Sequence, residues 1–334
     1  MTNAVLNWLL IAITLLACST VTLGLMMPQP RPHVRTLTMS TAPTPSATSL
    51  VSTTTTPSFA SLVSLYDSYI IDQWGVLHDG KTPYTGVVAC LRELKAAGKQ
   101  LILLSNSSKR RSSSFKGLQK VGIDPTLFDD IVTSGELAWH LINDRRFSFD
   151  LTDGGQVQGG DKALSAPLKV FVIGNNDDDA EYITSCGCVA ASPEEAQFVL
   201  ARGTFSFMSS TTPTRSDKAT PRAAAGVISY ARAEDLMDAV APVLLRCLAR
   251  NLPMLVSNPD FHRPGSGAPM PGQIAQMYAD QGGVVQYLGK PYARVYEECF
   301  AVIGRSSGGV DKTRICGVSR RVHVSMCQCI NVTV

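Results

Sequence analysis

Four consecutive apolar residues, Leu101 to Leu104, follow Gln100 and stop abruptly at Ser105-Asn106. A strand that is apolar on both faces belongs inside a parallel sheet covered by helices on each side. The neighbouring segments fit that frame. Ser68-Tyr69-Ile70-Ile71 reads as a strand that ends at Asp72. The stretch 86–97 puts Val87, Val88, Leu91 and Leu94 on one helical face, with Gly98 as its stop. A helix is expected over 109–121, a short strand over 130–133, and a helix over 136–142 with Ser134 as its N-cap. Strand and helix alternating at this spacing define βαβ units.

The middle of the chain reads as a different unit. Residues 148–167 are glycine-rich and polar, and 207–225 are a low-complexity run of Ser, Thr, Pro, Arg and Lys, so both are expected to be loops. Between and after them, strands are expected over 169–173, 197–201, 253–257 and 284–288. Helices are expected over 233–251, 270–280 and 295–303. The acidic run Asp177-Asp178-Asp179 is expected to be a solvated loop. Lys109-Arg110-Arg111 is expected to be an exposed helix start.

Residues 1–60 stand apart. Residues 8–27 are uncharged and apolar over about the length that spans a bilayer. A Ser/Thr/Pro-rich stretch follows, and no Asp or Glu occurs before Asp67. Such a leader resembles a signal-plus-transit arrangement, which points to an organelle, plastid or mitochondrion. The alternatives are a signal anchor, with membrane contact through 8–27, or a cytoplasmic protein started at Met39. The leader is too poor in core-forming residues to fold by itself.

Composition limits the partners. The formal net charge of +3 is small, and no basic stripe interleaved with aromatics is present, so nucleic acid is not an expected partner. Nine cysteines occur, but the close pairs Cys186/Cys188 and Cys327/Cys329 have neither zinc-knuckle nor disulfide-friendly spacing. They are read as buried free thiols in a reducing compartment.

In open α/β sheets, ligands bind beyond the carboxyl ends of strands. Three apolar strands here end in polar residues: Asp72, Ser105-Asn106, and Gly289-Lys290-Pro291. A carboxylate, a hydroxyl beside an amide, and an ammonium suit a phosphoryl group. The carboxylate can attack phosphorus, the hydroxyl and amide can bond its oxygens, and the lysine can offset the joint negative charge. Taken singly, each residue has a competing role, as a turn aspartate, turn chemistry or a solvated lysine. Asn258-Pro259-Asp260 can equally be a plain turn.

Together these motifs resemble the haloacid dehalogenase superfamily. Asp72-Gln73-Trp74-Gly75-Val76-Leu77-His78-Asp79-Gly80, Leu103-Leu104-Ser105-Asn106, Asn258-Pro259-Asp260 and Gly289-Lys290-Pro291 follow the order of its class IIA, p-nitrophenylphosphatase-like branch. The closest likeness is to an uncharacterised subgroup of that class, over about residues 65–318. The resemblance implies an α/β fold: a Rossmann-like parallel-sheet core over 61–136 and 284–318, with a large α/β cap domain inserted over 137–283. It implies a Mg²⁺-dependent phosphatase of small phosphorylated metabolites acting through an aspartyl phosphate. Asp72 would be the nucleophile and a magnesium ligand, and the Trp74 backbone carbonyl a second ligand. Ser105 would bind phosphoryl oxygens with Asn106 in support, Lys290 would be the third-motif lysine, and Asn258 and Asp260 would sit on the cap near the mouth of the site.

Two departures from the family pattern stand out. Trp74 occupies the place of the usual acid-base aspartate, where it can neither donate nor accept the proton. A surrogate acid would have to come from Asp79 or the cap, and the indole could instead stack on a flat substrate. The second departure is that no Asp or Glu follows Asp311, although the family places an acidic, magnesium-completing turn after the strand at 313–318. Residues 319–334 resemble no family element and read as an aberrant tail from a retained intron, an alternative splice form or a frameshift. With that turn missing, the magnesium site is incomplete and a sheet edge is left open. The alternative function is therefore a catalytically impaired phosphate-binding protein of the same fold. His78, one turn beyond Asp72, is a minor candidate for substrate contact.

Overall fold

The structure is a computed structural model that describes residues 63–151, 166–176, 178–208, 226–228 and 233–319. These belong to one compact unit beginning at Thr55. The expected leader and aberrant tail lie outside the described residues, apart from Ser319.

Strand β1 (Ser68–Asp72) pairs in parallel with β2 (Gln100–Ser105) and with the strand Ile315–Val318. Strand β2 in turn pairs with β3 (Asp130–Thr133). The result is a four-stranded sheet with Ile315–Val318 and β3 at its edges. Both faces are covered, as the apolar run required. Tyr69, Ile71, Leu101 and Leu103 face one cluster, with helices α1 (Val87–Ala96) and α2 (Arg111–Lys120) upon it. Ile70, Ile102 and Leu104 face another, covered by α3 (Ser134–Asn143). Each of the four β2 residues is almost wholly buried, and each contributes about 1.5–3 kcal/mol.

The second sheet is built from the inserted segment. Strand β4 (Leu168–Gly174) pairs with β5 (Cys188–Ala190) beyond helix α4 (Asp179–Ser185). It also pairs with β6 (Phe198–Ala201) and, antiparallel, with β7 (Ser206–Met208). Strand β8 (Gly226–Val227) extends β7. After helix α5 (Ala233–Ala249), strand β9 (Met254–Val256) pairs with β6. After helix α6 (Pro271–Asp280), β10 (Val285–Tyr287) pairs with β9. Helix α7 (Ala293–Ser307) then leads to the last strand, β11 (Ile315–Val318). Alternate residues again divide the sheet. Phe171, Ile173, Val199 and Met254 pack under α5 and α6, whereas Val170, Val172, Phe198 and Leu255 enter the same cluster as Ile102 and Leu104. Helices α3, α4 and α7 fill that shared layer between the sheets.

Several local expectations shift. The second sheet extends to Tyr287, so the strand expected to reopen the core at 284 belongs to the inserted unit, because it pairs with β9. Helix α3, expected in the cap from 137, packs against β3 and α7. The insertion therefore runs from after Asn143 to about Tyr287. The N-cap of α3 is Thr133, whose hydroxyl accepts from the Glu136 amide at 3.0 Å. Ser134 lies inside the helix, where its hydroxyl meets the phosphoryl-motif loop. Strand β7 begins at Ser206, in a stretch expected to be loop from 207, because its antiparallel pairing with β4 satisfies its backbone.

Candidate active site

The candidate residues sit at or after the carboxyl ends of strands, and both sheets contribute. Asp72 closes β1, and its Oδ1 accepts from the Gln73 amide at 2.7 Å and from the Lys290 ammonium. Lys290 arrives three residues after β10. Both side chains are 21% exposed, so the pair is half-dry yet open to a small ligand.

Asn106 fixes the lysine's backbone. Its Oδ1 accepts from the Lys290 N–H at 2.7 Å, and its Nδ2 donates to the Lys290 carbonyl at 3.0 Å. The same Nδ2 donates to Asp260 Oδ1 at 2.9 Å. One buried amide thus joins the second, third and Asn-Pro-Asp motifs. The tight approach needs Gly289, whose φ is +111°. A Cβ there would lie 2.6 Å from Ser134 Oγ, 2.7 Å from Asn106 Oδ1 and 2.9 Å from Pro259 Cδ. Asn258 is buried and its Oδ1 accepts from the Asp260 amide at 3.0 Å, so the turn orients Asp260. Burial pushes the Asp260 carboxyl above the usual carboxylate range. The Asn106 hydrogen bond and the Lys290 charge oppose that rise, and the Asp72 charge adds to it.

Ser105 is buried at the end of β2, and its hydroxyl accepts from the Ser107 amide at 3.3 Å. The Trp74 indole lies between two loops. Cβ atoms added at Gly80 and Gly265 would stand 3.0 Å and 2.9 Å from it, and both glycines have positive φ. His78 is buried. Its Nδ1 accepts from the Gly80 amide at 2.9 Å, and its Nε2 has no hydrogen-bond partner among the described residues. Burial lowers its pKa, against the charges of Asp79 and Asp72, and so favours the neutral ring. Asp79 is tied up in a turn, its Oδ1 accepting from the Lys81 and Thr82 amides at 2.8 Å. Those hydrogen bonds, chiefly the one to Thr82, hold it below the usual range, so it is a poor proton donor.

The acidic run departs from the reading as a solvated loop. Asp177 lies outside the described residues, but Asp179 is fully buried and pairs with Arg202, itself 1% exposed. Arg202 Nη1 also meets Asp178 at 3.0 Å, and the guanidinium stacks over Tyr182 at 4.1 Å. A buried charge needs such partners. The expected exposed basic start of α2 is also partly covered: Arg110 makes a two-pronged pair with Glu136 at 2.7 and 2.8 Å and lies over Trp139. Among the described residues six cysteines are present, all free thiols and five of them buried.

The donor set does not complete a divalent-cation site. Among the described residues, no group of three or more His, Cys, Asp or Glu could hold a metal ion. Asp72 Oδ1 is already engaged by an ammonium and an amide. A hard cation takes about six oxygen ligands, several of them from water or substrate, and the described side chains supply only part of the protein's share.

Two stacked α/β layers with polar strand ends converging on one carboxylate-ammonium pair resemble a haloacid dehalogenase-like hydrolase of class IIA, the p-nitrophenylphosphatase-like branch. The family model for haloacid dehalogenase-like hydrolases matches residues 69–188. The chain is similar to the 4-nitrophenylphosphatase of Schizosaccharomyces pombe, at 23% identity over 80% of this chain and 81% of that protein. It resembles a haloacid dehalogenase-like hydrolase from Brucella suis at 25% identity and a TM-score of 0.56, covering 77% of this chain and 82% of that one. A 4-nitrophenylphosphatase from Thermotoga maritima shares the fold, at 19% identity and a TM-score of 0.51 over 78% of this chain and 81% of that one.

Proposed function

We propose that the protein is a phosphoric monoester hydrolase of small phosphorylated metabolites that works through a phosphorylated Asp72. The observation that carries this reading is the Lys290 ammonium held against Asp72 at the rim shared with Ser105 and Asn106. An Asp72 carboxylate oxygen attacks phosphorus, and the bond to the leaving oxygen breaks. Lys290 offsets the negative charge gathered there, and Ser105 bonds a phosphoryl oxygen. Water then attacks the acyl phosphate, releases inorganic phosphate and restores the carboxylate. Mg²⁺ is what the class implies. It would add charge neutralisation beside Asp72 and the Trp74 carbonyl, but the described ligands do not complete its site.

The proton for the leaving oxygen has to come from elsewhere than residue 74. Asp260 is the carboxyl best suited, since burial favours its protonated form and Asn106 aims it toward the Asp72–Lys290 pair. In the second step its carboxylate takes the proton from the attacking water.

The pH dependence follows from the direction of the shift. A raised pKa keeps the acid form present at low pH and loses it as pH rises through that value. Turnover of an alkyl phosphate should therefore fall along this limb. Asp260→Asn should remove the limb and lower alkyl phosphate turnover about 10²-fold, with aryl phosphates less affected. Trp74→Asp should restore at least about 10-fold of that loss in the double variant. Steady-state kinetics across pH test both; an unchanged alkyl profile in Asp260→Asn would rule out its role.

A further inference from the structure

The loop after β2 is held by more groups than a plain turn needs. Ser134 Oγ donates to the Ser105 carbonyl at 3.3 Å, and the Gly135 amide to the Ser107 carbonyl at 2.9 Å. The Thr133 hydroxyl donates to the Lys109 carbonyl at 2.8 Å. These partners all come from the end of β3 and the first turn of α3, beside the sheet that carries the loop. Ser108 differs, because the described side chains holding it come from the inserted sheet. Arg202 Nη2, one residue past β6, donates to the Ser108 carbonyl at 3.2 Å. Asn175 Nδ2, one residue past β4, donates to the Ser108 hydroxyl at 3.1 Å and to the Arg202 carbonyl at 3.0 Å.

Arg202 is itself locked. Its side chain is fully buried, with Asp179 fully buried beside it and Asp178 at the margin. Asp179 also accepts from the Asn176 amide at 2.6 Å and the Ser206 hydroxyl at 3.2 Å. Burial opposes the charge on the guanidinium, and the Asp178 hydrogen bond with the charges of Asp179 and Asp178 more than offsets it. Buried ion pairs are not a strong source of stability, because desolvation cancels much of the attraction. What such a hydrogen-bonded pair does supply is a fixed direction, with the guanidinium Nη2 aimed at one carbonyl.

We infer that Arg202 and Asn175 are positioning residues for the phosphoryl-binding loop, gripping Ser108 from the inserted sheet so that Ser105 and Asn106 stay set around a bound phosphoryl group. The inference rests on the function proposed above for Ser105 and Asn106. Neither residue touches substrate; both act through Ser108. The inserted unit thereby reaches the site twice, through the Asn258-Pro259-Asp260 turn and through this grip.

The test compares full-length wild type with Asn175→Ala, Arg202→Lys and Arg202→Ala. Arg202→Ala leaves two acids uncompensated and stands to unfold, so Asn175→Ala is the deciding variant. Three readouts apply: hydrogen–deuterium exchange of the 105–109 amides, the inhibition constant of orthovanadate, and kcat and KM for p-nitrophenyl phosphate. Losing the two Asn175 hydrogen bonds should weaken vanadate binding and raise KM about 5- to 10-fold, with faster exchange confined to the loop. Arg202→Lys, which keeps the charge and loses the fork, should fall between wild type and Asn175→Ala. Unchanged exchange and vanadate affinity in a folded Asn175→Ala would overturn the inference, whatever happens to melting temperature. If the wild type neither binds vanadate nor turns over, while Asn175→Ala still loosens the loop, the proposed function fails and the positioning role stands.

Discussion

Asp72→Asn is expected to lower kcat for p-nitrophenyl phosphate by at least about 10³-fold while leaving the fold intact. The amide oxygen can still accept from the Gln73 N–H and the Lys290 ammonium, so the hydrogen bonds that seat residue 72 persist. What disappears is the anionic oxygen that attacks phosphorus. Lys290 is only 21% exposed, so losing its counter-ion should also lower the melting temperature, although the amide oxygen still accepts from the ammonium. Kinetics and a thermal melt on the same preparation separate the two effects. Equal background hydrolysis in both proteins would leave only phosphate binding, the alternative that the sequence already raised.

Gly289→Ala should produce the largest loss from a single methyl group. Residue 289 has φ +111°, a region that side-chain-bearing residues rarely adopt. The added Cβ would press on Ser134 Oγ, Asn106 Oδ1 and Pro259 Cδ at 2.6–2.9 Å. Backbone strain and overpacking together should cost about 2–4 kcal/mol. The damage is directed as well. Asn106 cannot retreat without releasing both the N–H and the carbonyl of Lys290, which sets the ammonium against Asp72. The variant should therefore lose catalytic efficiency even well below its melting temperature. Full kcat/KM in a protein that melts several degrees lower would show that the Asn106 clamp does not govern Lys290.

The strand ends were legible because continuous apolar runs ending in Asp, Ser-Asn or Gly-Lys-Pro report burial and a sheet rim at once. Asp72, Ser105, Asn106, Asp260 and Lys290 come together for that reason. The Asp179–Arg202 pair was hidden by the opposite logic. An acidic run next to glycine and asparagine reads as solvated, and only a guanidinium 23 residues further on reverses that. Arg202 did carry a signal, since it follows the apolar strand 197–201 as Asp72 follows its own. The allegiance of β10 was not readable either. A strand as short as Val285–Tyr287 looks alike in either sheet, and pairing with β9 is a tertiary choice. Thr133 and Ser134 are adjacent hydroxyls, so sequence alone could not assign which one caps α3.

The central claim is that the Asp72 carboxylate receives the phosphoryl group with Lys290 and Ser105 around it. Beryllium trifluoride binds carboxylates as an acyl-phosphate mimic, and a crystal structure of the full-length protein with it, grown with and without Mg²⁺, tests that directly. The fluoride adduct is predicted on an Asp72 carboxylate oxygen, with the Lys290 ammonium and the Ser105 hydroxyl on its fluorines. An adduct on another carboxylate, or no adduct in either condition, would contradict it.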